Sequence, residues 1–412
     1  MKIVFSRLLF LSLASLVSAC AGRAAKPTTP APEGRVVEME TLRIVAKHDE
    51  AGTYTFESYD AEDLFLRANT HLDAGRCVEA VALYDKLVAE FPSNGYVSAA
   101  LYNAGLCLAH DARHEDALGR FEKLVSELPT SPDVKHASFQ AGHLNVTLQR
   151  WDAALANADA LLSRTDLETG ERLEAMVTRA QACLGKSDLP EARHQATQAI
   201  SFYRTHPAEQ FPDAYFISAA AFVLAETTRL QGESMAFPDT NQDEQRAVLL
   251  KRAQLLLDAQ REYFDAIRYT DAHWASAAGH RIGSMYDTLW HDLMGAPVPS
   301  TLSPGAKELY PQEMAKLIKP LLRHAIRYWE LTLMMVERTG VRSEWADKTR
   351  ADLERTRALM LEQPAGVGGL PAPSTSTPSS AAPAPAPSGP APGAPATAAP
   401  TLASPPVSSA TP

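Results

Sequence analysis

One interval constrains this chain more than any other feature. Leu64, Ala68, Ala80, Tyr84, Leu87 and Pro92 are each answered, 37 positions later and in the same chemical class, by Leu101, Gly105, Ala117, Phe121, Leu124 and Pro129. A third copy runs through Gly142, Ala154 and Leu161, and a looser fourth through Ala180, Ala192 and Ala199. A fixed period of this size signals stacked helix pairs, because a single pair cannot bury its apolar face alone. The small residues let two antiparallel helices approach closely, and the large ones fill the wedge between successive pairs. Pro92 and Pro129 then stop the second helix of each pair, since proline cannot continue the hydrogen-bond ladder.

The residues at these positions resemble the tetratricopeptide repeat, whose unit is about 34 residues long; here each connection is lengthened. The resemblance covers residues 60–205 and implies an all-α, tetratricopeptide-type α-solenoid of stacked antiparallel helix pairs. It also implies a site. In the family register, the fifth position of each first helix faces an inner groove, and here it holds Phe65, Tyr102 and Phe139. Four residues on stand Asn69, Leu106 and His143. Rings supply contact area and polar tips supply register, which is what a peptide-binding groove needs. The competing reading covers this ladder with the amino-terminal segment or the next long helix, as ordinary core.

Past Pro207 the period loosens while apolar i, i+3, i+4 spacing persists over Asp213–Leu230, Gln245–Tyr269, Ala272–Leu293, Ala306–Thr339 and Ser343–Glu362. Residues 206–362 therefore read as elongated helical repeats with a cap, with Trp274, Trp290, Trp329 and Trp345 filling the wider gaps. Upstream, residues 41–59 hold two strand-like runs, Leu42–Ala46 and Thr53–Tyr59, read either as a β-hairpin or as an extended linker. Leu42, Ile44 and Ala46 would share one face of the first run. Residues 363–412 contain no charged side chain and are rich in Pro, Ala, Ser and Thr. Such a tail cannot bury a core, and disorder with polyproline II character is expected.

The first nineteen residues follow an export pattern: Lys2 and Arg7, then an apolar stretch, Leu8–Ala19, too short to span a membrane. The stretch closes with Val17-Ser18-Ala19-Cys20, which resembles the lipobox of bacterial lipoproteins. That resemblance implies cleavage before Cys20, diacylation of its thiol, acylation of the new amino terminus and attachment to a membrane through the lipid. By analogy with enteric lipoprotein sorting, Ala21 rather than Asp after the cysteine favours the outer membrane. Residues 20–40 then serve as a flexible spacer.

No glycine-rich phosphate loop, nucleophile elbow or paired-cysteine zinc motif is present, so no catalytic residue, metal or cofactor is assigned beyond the covalent lipid on Cys20. His110 and His114 have zinc-compatible spacing but fall at the turn between two helices of one unit. A net charge of −10 argues against a nucleic-acid binder. Cys77, Cys107 and Cys183 form an odd set. A disulfide between Cys77 and Cys107 is open, with buried small hydrophobes as the favoured reading.

Three further segments occur together: Tyr59-Asp60-Ala61-Glu62-Asp63-Leu64-Phe65, Glu90-Phe91-Pro92-Ser93-Asn94, and His280-Arg281-Ile282-Gly283-Ser284-Met285-Tyr286 followed by Ala296-Pro297-Val298-Pro299. The set resembles the tetratricopeptide lipoproteins of myxobacteria, including the outer-membrane lipoprotein of the adventurous gliding-motility machinery. The resemblance implies a non-enzymatic, periplasm-facing scaffold that binds envelope or motility-complex proteins, with no small-molecule substrate. The alternative is an accessory lipoprotein of outer-membrane protein assembly or peptidoglycan synthesis.

Overall fold

The first helix begins where a side chain replaces the missing backbone partner. Asp60 accepts a hydrogen bond from the Asp63 amide and opens α1 (Ala61–Asp73). Antiparallel helices follow in sequence: α2 (Cys77–Glu90), α3 (Val97–His110), α4 (His114–Glu127), α5 (Val134–Thr147), α6 (Trp151–Leu162), α7 (Thr169–Gly185) and α8 (Leu189–Thr205). Longer ones come after: α9 (Tyr215–Glu233), α10 (Gln242–Arg268), α11 (Ala272–Met294), α12 (Pro304–Thr339) and α13 (Glu344–Leu361). This computed structural model describes residues 41–48, 54–239 and 241–361. The signal segment, Cys20, the spacer and the Pro-rich tail lie outside the described residues.

The period is visible in the backbone. Gly75, Ala112, Gln149 and Ser187 occupy the same slot between the helices of successive pairs, all at positive φ. Beside each, an amide reaches back five residues: Arg76 to the His71 carbonyl, Arg113 to Leu108, Arg150 to Asn145 and Asp188 to Cys183. This left-handed closure satisfies carbonyls at the end of the first helix. The second helices of the first two pairs end at Phe91 and Leu128, non-helical residues that each precede a proline.

Consecutive helices pack against each other throughout, α5 with α7, α7 with α9 and α9 with α11 also touch, and Tyr102 of α3 meets His136 of α5, so from α3 onward the first helices of the pairs lie together on the inner side of the stack. The predicted seams do their part. A Cβ on Gly105 would stand 2.6 Å from the Phe121 ring; outside the predicted set, one on Gly185 or Gly283 would stand 2.3 Å from Trp151 or Trp329. Ala68, Ala80, Ala117 and Ala154 are fully buried. The all-α solenoid expected from the sequence holds.

Several boundaries shift by a few residues. Ser303 caps α12 and Pro304 opens it, because a missing amide costs nothing at the first helical position. α9 is buried on nearly every side, and its Glu226 is 1% exposed. Burial pushes the Glu226 carboxyl up, but the guanidiniums of Arg229 and Arg281 and hydrogen bonds from Arg229 and Tyr263 outweigh that and hold it at about 2. One carboxylate thus ties α9, α10 and α11 together. Trp274, Trp329 and Trp345 are buried among the long helices, and Trp329 donates to the His280 carbonyl at 3.0 Å.

The segment before α1 forms a hairpin of β1 (Arg43–His48) and β2 (Tyr54–Tyr59), antiparallel, with Arg43 opposite Tyr59 and Ala46 opposite Phe56. Cys77 and Cys107 require a correction. They are joined in a disulfide between the start of α2 and the last turn of α3, rather than being unpaired buried hydrophobes as expected from the sequence. The helix ends bring their Cα atoms to 5.2 Å, within the range a disulfide spans. Cys183 is buried and free.

Candidate partner-binding face

The six groove residues implied by the family register separate into two sets. Phe65 is 6% exposed, its ring stacked on Tyr96 at 4.9 Å and tilted against Tyr84. Phe139 is 5% exposed and packs on Leu161 and Ala175. Both are core, which corrects the reading of an open aromatic ladder. The cause is local: the lengthened α2–α3 connection folds Tyr96 over Phe65, and the small side chain of Ala175 lets α7 close over Phe139.

Asn69, Tyr102, Leu106 and His143 remain half-exposed. Asn69 accepts a 2.6 Å hydrogen bond from the Tyr84 hydroxyl, which in turn accepts from Asn103 at 3.3 Å, so the Tyr84 oxygen links two repeats. The Tyr102 ring meets Phe121 edge-on at 5.6 Å and lies 6.5 Å from His136. Burial, then the carboxylates of Asp133 and Glu174, push its hydroxyl up to about 12, so it stays a protonated donor. His143 Nε2 lies 3.0 Å from Glu174 Oε1, and its ring is 6.0 Å from Phe216.

From there ring contacts lead off the half-buried face and into the core, through residues the repeat pattern did not reveal, and end on the buried Trp274. Phe216 contacts Tyr215 at 5.2 Å, Tyr215 contacts His273 at 6.1 Å, and His273 meets Trp274 edge-on. Glu174, Tyr215 and Phe216 escaped notice because the register slips after the third copy, so no 37-residue offset points to them. Burial holds the His273 imidazole below its usual range. Rings, a protonated phenol and an imidazole–carboxylate pair can hold a polypeptide by stacking and hydrogen bonding.

His110 and His114 sit at the end of α3 and the start of α4, on either side of the left-handed Ala112. The Cys77 sulfur comes within 4.8 Å of ligand atoms on both His110 and Asp111, but that sulfur is already bonded to Cys107. A covalently satisfied sulfur is not a thiolate ligand, and no metal is assigned there.

Fold and face together define an α-solenoid of tetratricopeptide type. In keeping with this, residues 65–132 match the Tetratricopeptide repeat family. No curated protein matches the chain. Among solved structures, the chain is similar to MamA residues 41–end from Desulfovibrio magneticus RS-1, at 14% identity over 49% of this chain and 95% of that one, with a TM-score of 0.33. It is also similar to a tetratricopeptide repeat protein from Parabacteroides merdae, at 14% identity over 72% and 98%, with a TM-score of 0.37. The TPR domain of P58(IPK) aligns at 15% identity over 73% and 98%, with a TM-score of 0.26. Tetratricopeptide repeats typically serve as protein-interaction scaffolds.

Proposed function

We propose that this protein is a lipid-anchored scaffold of an envelope complex. In this reading acyl chains on Cys20 hold it on the outer membrane, facing the periplasm, and the inner helices hold a partner protein. The assembly that fits best is the gliding-motility machinery, on the resemblance of the three segments named above. The observation that carries the binding role is the half-exposed stripe Tyr102–Leu106–His143 with Glu174, on helices that face the inside of the stack.

The test uses the native lipoprotein, crosslinked in membranes and purified. Mass analysis of the amino-terminal peptide should find acylated Cys20. The wild type should retain a protein partner that the double variant Tyr102→Ala, His143→Ala loses, with helical content unchanged. Unchanged capture would retire the groove, and an unmodified Cys20 would retire the anchor. A partner from barrel assembly or wall synthesis, instead of motility, would reassign the complex.

A further inference from the structure

The hairpin that precedes the repeats is amphipathic, and one of its faces is uncovered. Its polar face is tied to the body. Arg43 donates to the Glu90 carbonyl at 3.3 Å, Tyr59 donates to the Glu90 carboxylate at 2.8 Å, and Glu57 pairs with Arg67 at 3.1 Å and with Lys47. The register puts Leu42, Ile44, Ala46 and His48 on the other face, with Tyr54 and Phe56 across the ladder. Ile44 is 66% exposed, Tyr54 65% and Phe56 73%, and Leu42 is also open. Among the described residues, none of these side chains belongs to a core cluster. A two-stranded sheet gains little stability alone in water, so strands patterned for burial call for a cover.

We propose that this face rests on the surface of the phospholipid bilayer that carries the anchor, docking the first repeat against the membrane. The inference rests on the lipid-anchor reading. Only residues 21–40 separate Cys20 from the segment that opens the hairpin, a contour of at most about 70 Å. A face tethered this way meets the bilayer at high effective concentration, so a patch too weak to bind membranes from solution binds when anchored. The chemistry suits the interface: aliphatic tips from Leu42 and Ile44, rings from Phe56 and Tyr54, and a Tyr54 hydroxyl able to stay at headgroup level. Lying flat, the hairpin keeps its edge amides and carbonyls within reach of headgroup water. Docking would hold the first helix pair at a fixed attitude to the membrane, where a lipid and a spacer alone would let it swing.

The test places a tryptophan on each face of the hairpin in the full lipidated chain, reconstituted into phosphatidylethanolamine–phosphatidylglycerol vesicles doped with a bromine-labelled phospholipid. Phe56→Trp should add emission that is strongly quenched by the brominated chains, while Thr55→Trp, on the opposite face, should add emission that is quenched several-fold less. Equal quenching at the two positions overturns the proposal. So does a blue shift of the Phe56→Trp emission that grows with protein concentration in the absence of vesicles, which would assign the face to a second copy. If the chain does not float with vesicles at all, the anchor reading has failed. The same two variants, held on chelator-lipid vesicles by a histidine tag in place of the lipid, then test the face on its own, and equal quenching there again overturns it.

Discussion

At the scale of single residues, the most informative position is the left-handed slot that recurs once per repeat. Gly75 fills it in the first unit at φ 69°, while Ala112 and Gln149 fill it in the next two at 58° and 57°. For a residue with a Cβ, this conformation costs about 1 kcal/mol or more relative to glycine. Both side chains are exposed, so nothing else is lost on replacing them. Ala112→Gly and Gln149→Gly should each raise stability by about 1 kcal/mol, and Gly75→Ala should lower it by a similar amount, as read by thermal or denaturant unfolding. An Ala112→Gly protein no more stable than wild type would show that the turn is not held as described. The sequence announces Gly75 as a turn but conceals Ala112 and Gln149, because neither residue type advertises positive φ. Only the 37-residue offset from Gly75 could have found them. The same limit explains Phe65 and Phe139: the register puts a ring on the inner side, but whether a neighbour folds over it depends on connection length and on a small side chain elsewhere, at Tyr96 and Ala175.

At the scale of elements, the pairing of helices was legible because it is written in small residues at fixed spacing, and those residues are the ones found under Phe121 and between the paired helices. The Cys77–Cys107 disulfide was not legible as such. Residues 77 and 107 are 30 positions apart, and only the approach of the α2 start to the α3 end makes them bondable. A crosslink closing a loop of that size restricts the unfolded chain and stabilises by roughly 3.5 kcal/mol in the chain-entropy account. In a stack where each unit touches only its neighbours, that stabilisation is local. Treatment with a dithiol reductant, or Cys77→Ala with Cys107→Ala, should speed amide hydrogen exchange in α1–α4 while leaving α9–α13 near wild-type rates. Uniform acceleration along the whole chain would contradict this one-dimensional picture. The long helices behave differently. Glu226, Arg229, Tyr263 and Arg281 interlock three of them, a network that no fixed spacing in the sequence displays.

At the scale of the whole molecule, the described residues from Leu42 onward form one compact unit in which a periodic amino-terminal stack passes into a thicker assembly of long helices. The division of labour follows from burial. α9 and α11 are enclosed by neighbours and serve as structure, whereas the inner faces of α3 and α5 keep Tyr102, Leu106 and His143 half-open. The central claim is therefore that a partner lies along these inner helices. It is tested most directly by placing a photo-crosslinking residue at position 106, on α3, or at position 119, an exposed point on α4 with open space around it, and irradiating intact cells. The account predicts a discrete protein adduct from position 106 and none from position 119. Adducts of equal yield from both positions, or from position 119 alone, would contradict it.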